Sequence, residues 1–246
     1  MPSPGRGIQI KCIDYFNKPE HCPSGDRCVL KELILQLLKA TFGVTAMLMA
    51  ASAPLWANSE EKFTNSKVHV VEYAVAPGDR VALPPEHPSV VVVISGDRAE
   101  LGFAGKSKLM TEFKRGMTAA ESAGWNSLAN TGSTPIDLVR IEFLTNGLDE
   151  TWGMVGLSPN YKMLVEDRYN RSYDIRIPSH TFEPQHTHHD RVVVCLDGAT
   201  LEHIMPDGSK EPSTLRVGEV GWRKGGTHIG HNLGTTDLWV IAVEPK

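Results

Sequence analysis

Four landmarks of this chain recur at one spacing. Gly96, Gly116, Asn130 and Glu142 each have a counterpart 102 residues downstream, at Gly198, Gly218, Asn232 and Glu244. The run Val90-Val91-Val92-Val93-Ile94-Ser95-Gly96 is answered by Val192-Val193-Val194-Cys195-Leu196-Asp197-Gly198. Solenoid repeats have periods of roughly 20 to 50 residues, so a spacing this long means a duplicated domain. A chain of 246 residues has room for two such domains and their connection.

Each copy reads as short strands. Lys67 to Val75 and Tyr173 to Ile177 alternate or carry β-branched residues. The valine runs are apolar at every position, which predicts strands buried on both faces. Turn chemistry separates them at Pro77-Gly78, Ser95-Gly96-Asp97, Asn130-Thr131-Gly132 and Pro206-Asp207-Gly208. Helix signals are weak beyond residue 60. A copy of about 80 to 90 residues suits a small antiparallel barrel or jelly roll, which closes its sheet edges on itself.

The first sixty residues are of another kind. Lys31 and Lys39 flank an apolar stretch, and Ala40 to Ala53 carries no charge before the small-residue end Ala57-Asn58-Ser59. That order of features describes a secretory signal peptide with cleavage after Ala57 or Ser59. The apolar run is short for a membrane span, which needs about twenty residues, so no stable insertion is expected after processing. Some thirty residues precede the signal, and the expected true start lies near Val29 or Leu30. Cys12, His21, Cys22 and Cys28 in that stretch fit no compact zinc spacing. The expected location is the bacterial periplasm, with Cys195 as the sole thiol of the mature chain. The formal net charge of -4, without a basic block, excludes a nucleic-acid partner.

The expected architecture is therefore all-β: two tandem jelly-roll barrels preceded by a signal-peptide-like helix. The divisions are a leader at 1–59, a first domain at 60–144, a linker at 145–170 and a second domain at 171–246. Tyr161 to Asp167 is a candidate opening strand for the second.

Chemistry concentrates in the second copy. Seven of the ten histidines lie between residues 180 and 231, and the central cluster is His186-Thr187-His188-His189-Asp190. On a strand, residues two apart share a face, so His186 and His188 aim two imidazoles at one point. His228, in the turn Gly225-Gly226-Thr227-His228, is the natural third ligand. Three imidazoles suit a divalent transition metal such as Zn, Fe, Mn, Ni or Cu. His189 and His231 read as groups that back a ligand from outside or lie at the surface, and Asp190 is placed to orient an imidazole by accepting its remaining N–H. Arg191 either binds a carboxylate or is a solvated strand residue, with the second reading slightly favoured. His180 and His203 read as surface residues, and Cys195 as a small buried hydrophobe.

The segments HTHHDRVVVCLDG and GWRKGGTHIGHNLG resemble the cupin superfamily, and within it small bacterial cupin-2-like proteins. The family's first motif is echoed by His186-x-His188 and the closing Gly198. Its second is echoed by Gly218, five residues, Lys224-Gly225-Gly226, then His228, three residues and Asn232. The resemblance spans residues 66 to 246 and is stronger in the second copy. It implies a tandem, or bicupin, protein with a metal in its C-terminal barrel, and a homodimer is compatible with it. The chain departs from the family at the glutamate ligand, whose counted positions hold Arg191 and Val192, leaving Asp190 as the nearest carboxylate. The first copy is degenerate. His186, His188 and His228 correspond to Pro84, Glu86 and Asn126, and Glu86 with His87 reads as a polar loop. The expected function is an exported bicupin that binds a divalent transition metal in its C-terminal barrel, with two readings left open there: a metal-dependent enzyme on a small molecule, or a metal- or ligand-binding protein without turnover. The alternative is a non-catalytic, metal-free ligand-binding or structural cupin. No catalytic residue is assigned from sequence.

Overall fold

A strand that is apolar at consecutive positions needs an apolar neighbour on each side. The computed structural model shows where both neighbours come from. It describes residues 58–83, 86–103, 105, 107–120, 124–147 and 156–246. Cys12, Cys22, Cys28 and the apolar run Ala40 to Ala53, on which the expectations of a signal-peptide-like helix and of export rest, lie outside these residues. Among the described residues there are eighteen strands and no helix.

The first nine strands are β1 (Asn58–Thr64), β2 (Val68–Val75), β3 (Arg80–Ala82), β4 (Ser89–Ser95), β5 (Arg98–Phe103), β6 (Lys108–Glu112), β7 (Thr118–Ala120), β8 (Trp125–Asn130) and β9 (Ile136–Phe143). They form a five-stranded sheet, β1-β2-β9-β4-β7, and a four-stranded sheet, β3-β8-β5-β6. The second nine are β10 (Tyr161–Glu166), β11 (Asn170–Ile177), β12 (Phe182–His188), β13 (Arg191–Asp197), β14 (Ala199–Ile204), β15 (Lys210–Leu215), β16 (Val220–Arg223), β17 (Gly226–Asn232) and β18 (Leu238–Pro245). Their sheets, β10-β11-β18-β13-β16 and β12-β17-β14-β15, repeat the first order strand for strand. All the paired strands are antiparallel. Tyr161–Glu166, inside the stretch read as linker, is thus the edge strand β10 paired with β11. Even its register break between Met163 and Val165 repeats the one in β1 between Glu61 and Phe63.

The shared landmarks are pieces of turn architecture. The Asn130 amide donates to the carbonyls of Val75 and Thr134, and its oxygen accepts the Gly132 N–H. Asn232 does the same with Ile177, Thr236 and Gly234. Gly116 and Gly218 have φ of +78° and +79°, and each donates its N–H to the strand carbonyl of Val93 or Cys195. A side chain at Gly96 or Gly198 would collide with the carbonyl of Phe113 or Leu215.

Three cores result. One, between the first pair of sheets, holds Val71, Tyr73, Val91, Val93, Leu128 and Leu138. Another, between the second pair, holds Tyr173, Ile175, Val193, Cys195, Leu201 and Val240. The third joins the outer faces of the two five-stranded sheets: Val68, Val90, Val92, Val139 and Ile141 meet Val192, Val194, Leu196, Ile241 and Val243. The valine runs are apolar throughout because alternate residues serve different cores. Cys195 is buried among these side chains, and burial pushes its thiol up to about 11.

Candidate metal centre

Strands β12 and β17 are neighbours, and His186 is the cross-strand partner of His228. His188 lies two residues along β12, on the same inward face. All three imidazoles are buried, and one ligating nitrogen of each lies within 4.8 Å of the other two. At a metal–nitrogen distance of about 2 Å, adjacent ligands sit about 3 Å apart, so these rings need shift only about an ångström to share one ion.

Backbone carbonyls fix the tautomers. A carbonyl only accepts, so Nδ1 of His186, 3.0 Å from Pro184 O, carries its proton, as does Nδ1 of His188, 2.9 Å from His189 O. Each ring therefore keeps an Nε2 lone pair for a ligand, held by the outer hydrogen bond usual for metal-binding histidines. Burial depresses the basicity of all three rings, with His188 and His228 lowered to about 3. They are neutral at physiological pH, the form that binds metal.

Four further groups line or border the site, and sequence reasoning missed three of them. Glu183 Oε2 lies 3.7 Å from His186 Nε2. Its Oε1 is buried without a hydrogen-bond partner, and burial pushes the carboxyl up to about 7. Simple alternation puts Glu183 and His186 on opposite faces. A β-bulge between them turns both inward. The Tyr161 hydroxyl sits 3.1 Å from His186 Nε2 and accepts a hydrogen bond from Arg191 Nη1 at 2.7 Å. It was hidden in the apparent linker, although the 102-residue spacing carried through to β1 would have exposed its strand. His203, read as a surface residue, instead faces the cavity with its ring 4.5 Å from that of His228. Arg191 also points inward, contrary to the solvated reading, and its Nε is buried without a partner.

The remaining residues fall elsewhere. Asp190 does not orient an imidazole: it accepts the Gly225 N–H at 2.7 Å and pairs with Lys224. Strand β12 ends at His188, so alternation no longer applies at Asp190. Gly225 packs so tightly on that turn that a Cβ would approach His188 O to 2.8 Å. His189 acts through its backbone, whose carbonyl holds His188 and whose N–H donates to Glu244 at 3.1 Å. His231 faces outward and stacks on the exposed Phe182. His180 is an exposed turn residue with φ of +56°. Beside the imidazoles lies a cavity of about 390 Å³ bordered by Glu183, His188, Arg191, His203 and His228 with the apolar Ile175, Leu201 and Val240. Small-molecule sites span roughly 300 to 1,000 Å³ and combine an apolar wall with a few convergent polar groups.

No known protein family and no curated protein matches the sequence. Solved structures do match. AerE from Microcystis aeruginosa aligns over 77% of this chain and 98% of its own, with 14% identity and a TM-score of 0.51. A cupin 2 conserved barrel domain protein from Leptotrichia buccalis aligns over 77% and 89%, with 14% identity and a TM-score of 0.50. A variant of oxalate decarboxylase OxdC from Bacillus subtilis aligns over 76% and 72%, with 11% identity and a TM-score of 0.55. The chain has the cupin fold. Within this fold the polar centre lies in the C-terminal pair of sheets. In the first pair, Glu86, His87 and Asn126 are exposed, and the interior carries an Arg140–Glu142 ion pair with His69 2.8 Å from Glu142.

Proposed function

We propose that the two sheet pairs are tandem cupin barrels, related by duplication, and that the second binds a divalent transition metal through His186, His188 and His228. The observation that carries this reading is the convergence of three buried, neutral imidazoles, two with their Nδ1 protons tied to carbonyls. The metal would supply Lewis-acid polarisation of a ligand oxygen or activation of a bound water. The chain's own residues supply the rest of a small-molecule site. Arg191 offers a buried N–H without a partner beside the Tyr161 hydroxyl, a pairing suited to an anionic oxygen. The cavity gives such a molecule room next to the imidazoles, which favours a metal-dependent enzyme over a closed storage site. Reaction type does not follow from the fold.

The competing reading is a metal-free barrel in which Tyr161 satisfies His186, and the 3.1 Å contact between them favours it. Metal analysis of the untagged protein separates the two. The expected result is near one equivalent of a transition metal in the wild type and loss of it in both His186→Ala and His228→Ala. Equal metal in all three proteins would remove the reading. Export to the periplasm and homodimer formation belong to the same proposal. They are supported by the signal-like segment and by the resemblance, and are tested by intact mass and sedimentation. Recovery of a peptide from Gly7 to Cys28 would overturn processing, and a monomer at working concentration would overturn the dimer.

A further inference from the structure

We propose that Glu183 is the anionic ligand of this metal centre, entering from the strand that precedes the histidine pair and not from the one that follows it. The inference rests on the three-histidine reading and adds to it a fourth donor that the sequence pattern does not reveal.

The downstream strand cannot supply a carboxylate. Its counted positions hold Arg191, a cation, and Val192, which is fully buried against the other five-stranded sheet. Asp190 is engaged with Gly225 and Lys224. Two buried carboxylates remain near the centre, and their surroundings differ. Glu244 Oε1 accepts the His189 N–H, its Oε2 is buried without a partner as one oxygen of Glu183 is, and Arg171 is its cross-strand partner residue, so what separates the two is their place relative to the imidazoles. Glu183 instead lies with Oε2 3.7 Å from the Nε2 of His186, the atom that would hold the metal. Its side chain is 4% exposed, the Ser158 hydroxyl is a hydrogen-bonding neighbour of the carboxyl, and Oε1 has no partner of its own. Leaving a buried carboxylate oxygen unpaired is costly, and such an atom at the rim of a three-nitrogen cluster marks a place for a cation.

The neighbouring strand is shaped to receive this side chain. Gly230 is the residue opposite Glu183, and a Cβ there would come within 2.8 Å of Oε2. The bulge between Glu183 and His186 turns the carboxylate to the imidazole face. Charge favours the same arrangement. Three neutral imidazoles leave a dication uncompensated in a low-dielectric interior that already holds Arg191. A directly bound carboxylate lowers that charge.

Titration of the metal-free full protein with Co²⁺ tests the inference, because the visible ligand-field spectrum reports the donor set and the titration reports affinity. Glu183→Gln is expected to weaken Co²⁺ binding on the order of 10-fold or more and to alter the spectrum. Glu244→Gln is expected to leave the spectrum unchanged. Gly230→Ala keeps the carboxylate but crowds it, and is expected to weaken binding in the same direction. It supplies the answer should Glu183→Gln fail to fold. Wild-type affinity and spectrum in both Glu183→Gln and Gly230→Ala would overturn this inference alone. A wild type that takes up no Co²⁺ would overturn the histidine reading and this inference with it.

Discussion

Burial sets the protonation of individual groups in this protein. His188 and His228 are lowered to about 3 from an ordinary 6.5. Between those values the unfolded chain takes up protons that the folded chain refuses, so the metal-free protein loses stability as pH falls through that window. Glu183 and Glu244, raised to about 7 from 4.5, act in the opposite sense: their contribution is present below 4.5 and fades as pH rises to 7. Below 4.5 only the imidazoles of this group still act. The melting temperature of the metal-free wild type should therefore fall more steeply below pH 4.5 than that of a His188→Asn, His228→Asn double variant. Equal slopes would contradict the assignment. His186 and His188 were legible from spacing because alternation holds between them, and His228 from the glycine-rich turn that precedes it. Glu183 was not, since a bulge reverses the parity on which such reading depends. Tyr161 was not, since it lies outside every motif. His203 was not, since nothing marks it except its place on β14.

At the scale of elements, the 102-residue spacing is a spacing of turns. Asn130 and Asn232 each bind three backbone groups, and truncating either to alanine should cost about 2 to 4 kcal/mol, read by urea denaturation. The glycine pair separates strain from contact. A Cβ at Gly218 meets open space, so Gly218→Ala should cost only the left-handed backbone penalty of about 1 to 2 kcal/mol. The same change at Gly116 drives a Cβ into Trp239 and should cost more. Equal costs would show that Trp239 moves freely. The strands themselves were readable from β-branched runs and turn residues. Their assignment to sheets was not, because neighbours such as β9 and β4 are separated by several other strands.

On the scale of the whole molecule, the outer faces of the two five-stranded sheets make one core. The sequence showed that the valine runs are buried on both sides but carried no sign of what covers the second side. Ile241 is fully buried there, and Ile241→Ala should cost about 2 to 5 kcal/mol. Because the core is shared, unfolding followed in the first and second sheet pairs should remain coincident, and separate transitions would contradict the packing. The three imidazoles stand on the four-stranded sheet of the second pair, which contributes no residue to that core. The most direct test of the account is a crystal of the metal-loaded protein with diffraction recorded at the metal's absorption edge. The account predicts one anomalous peak in bonding range of imidazole nitrogens from His186, His188 and His228. A fully loaded crystal with its peak elsewhere, or with those three rings still turned to protein partners, would contradict it.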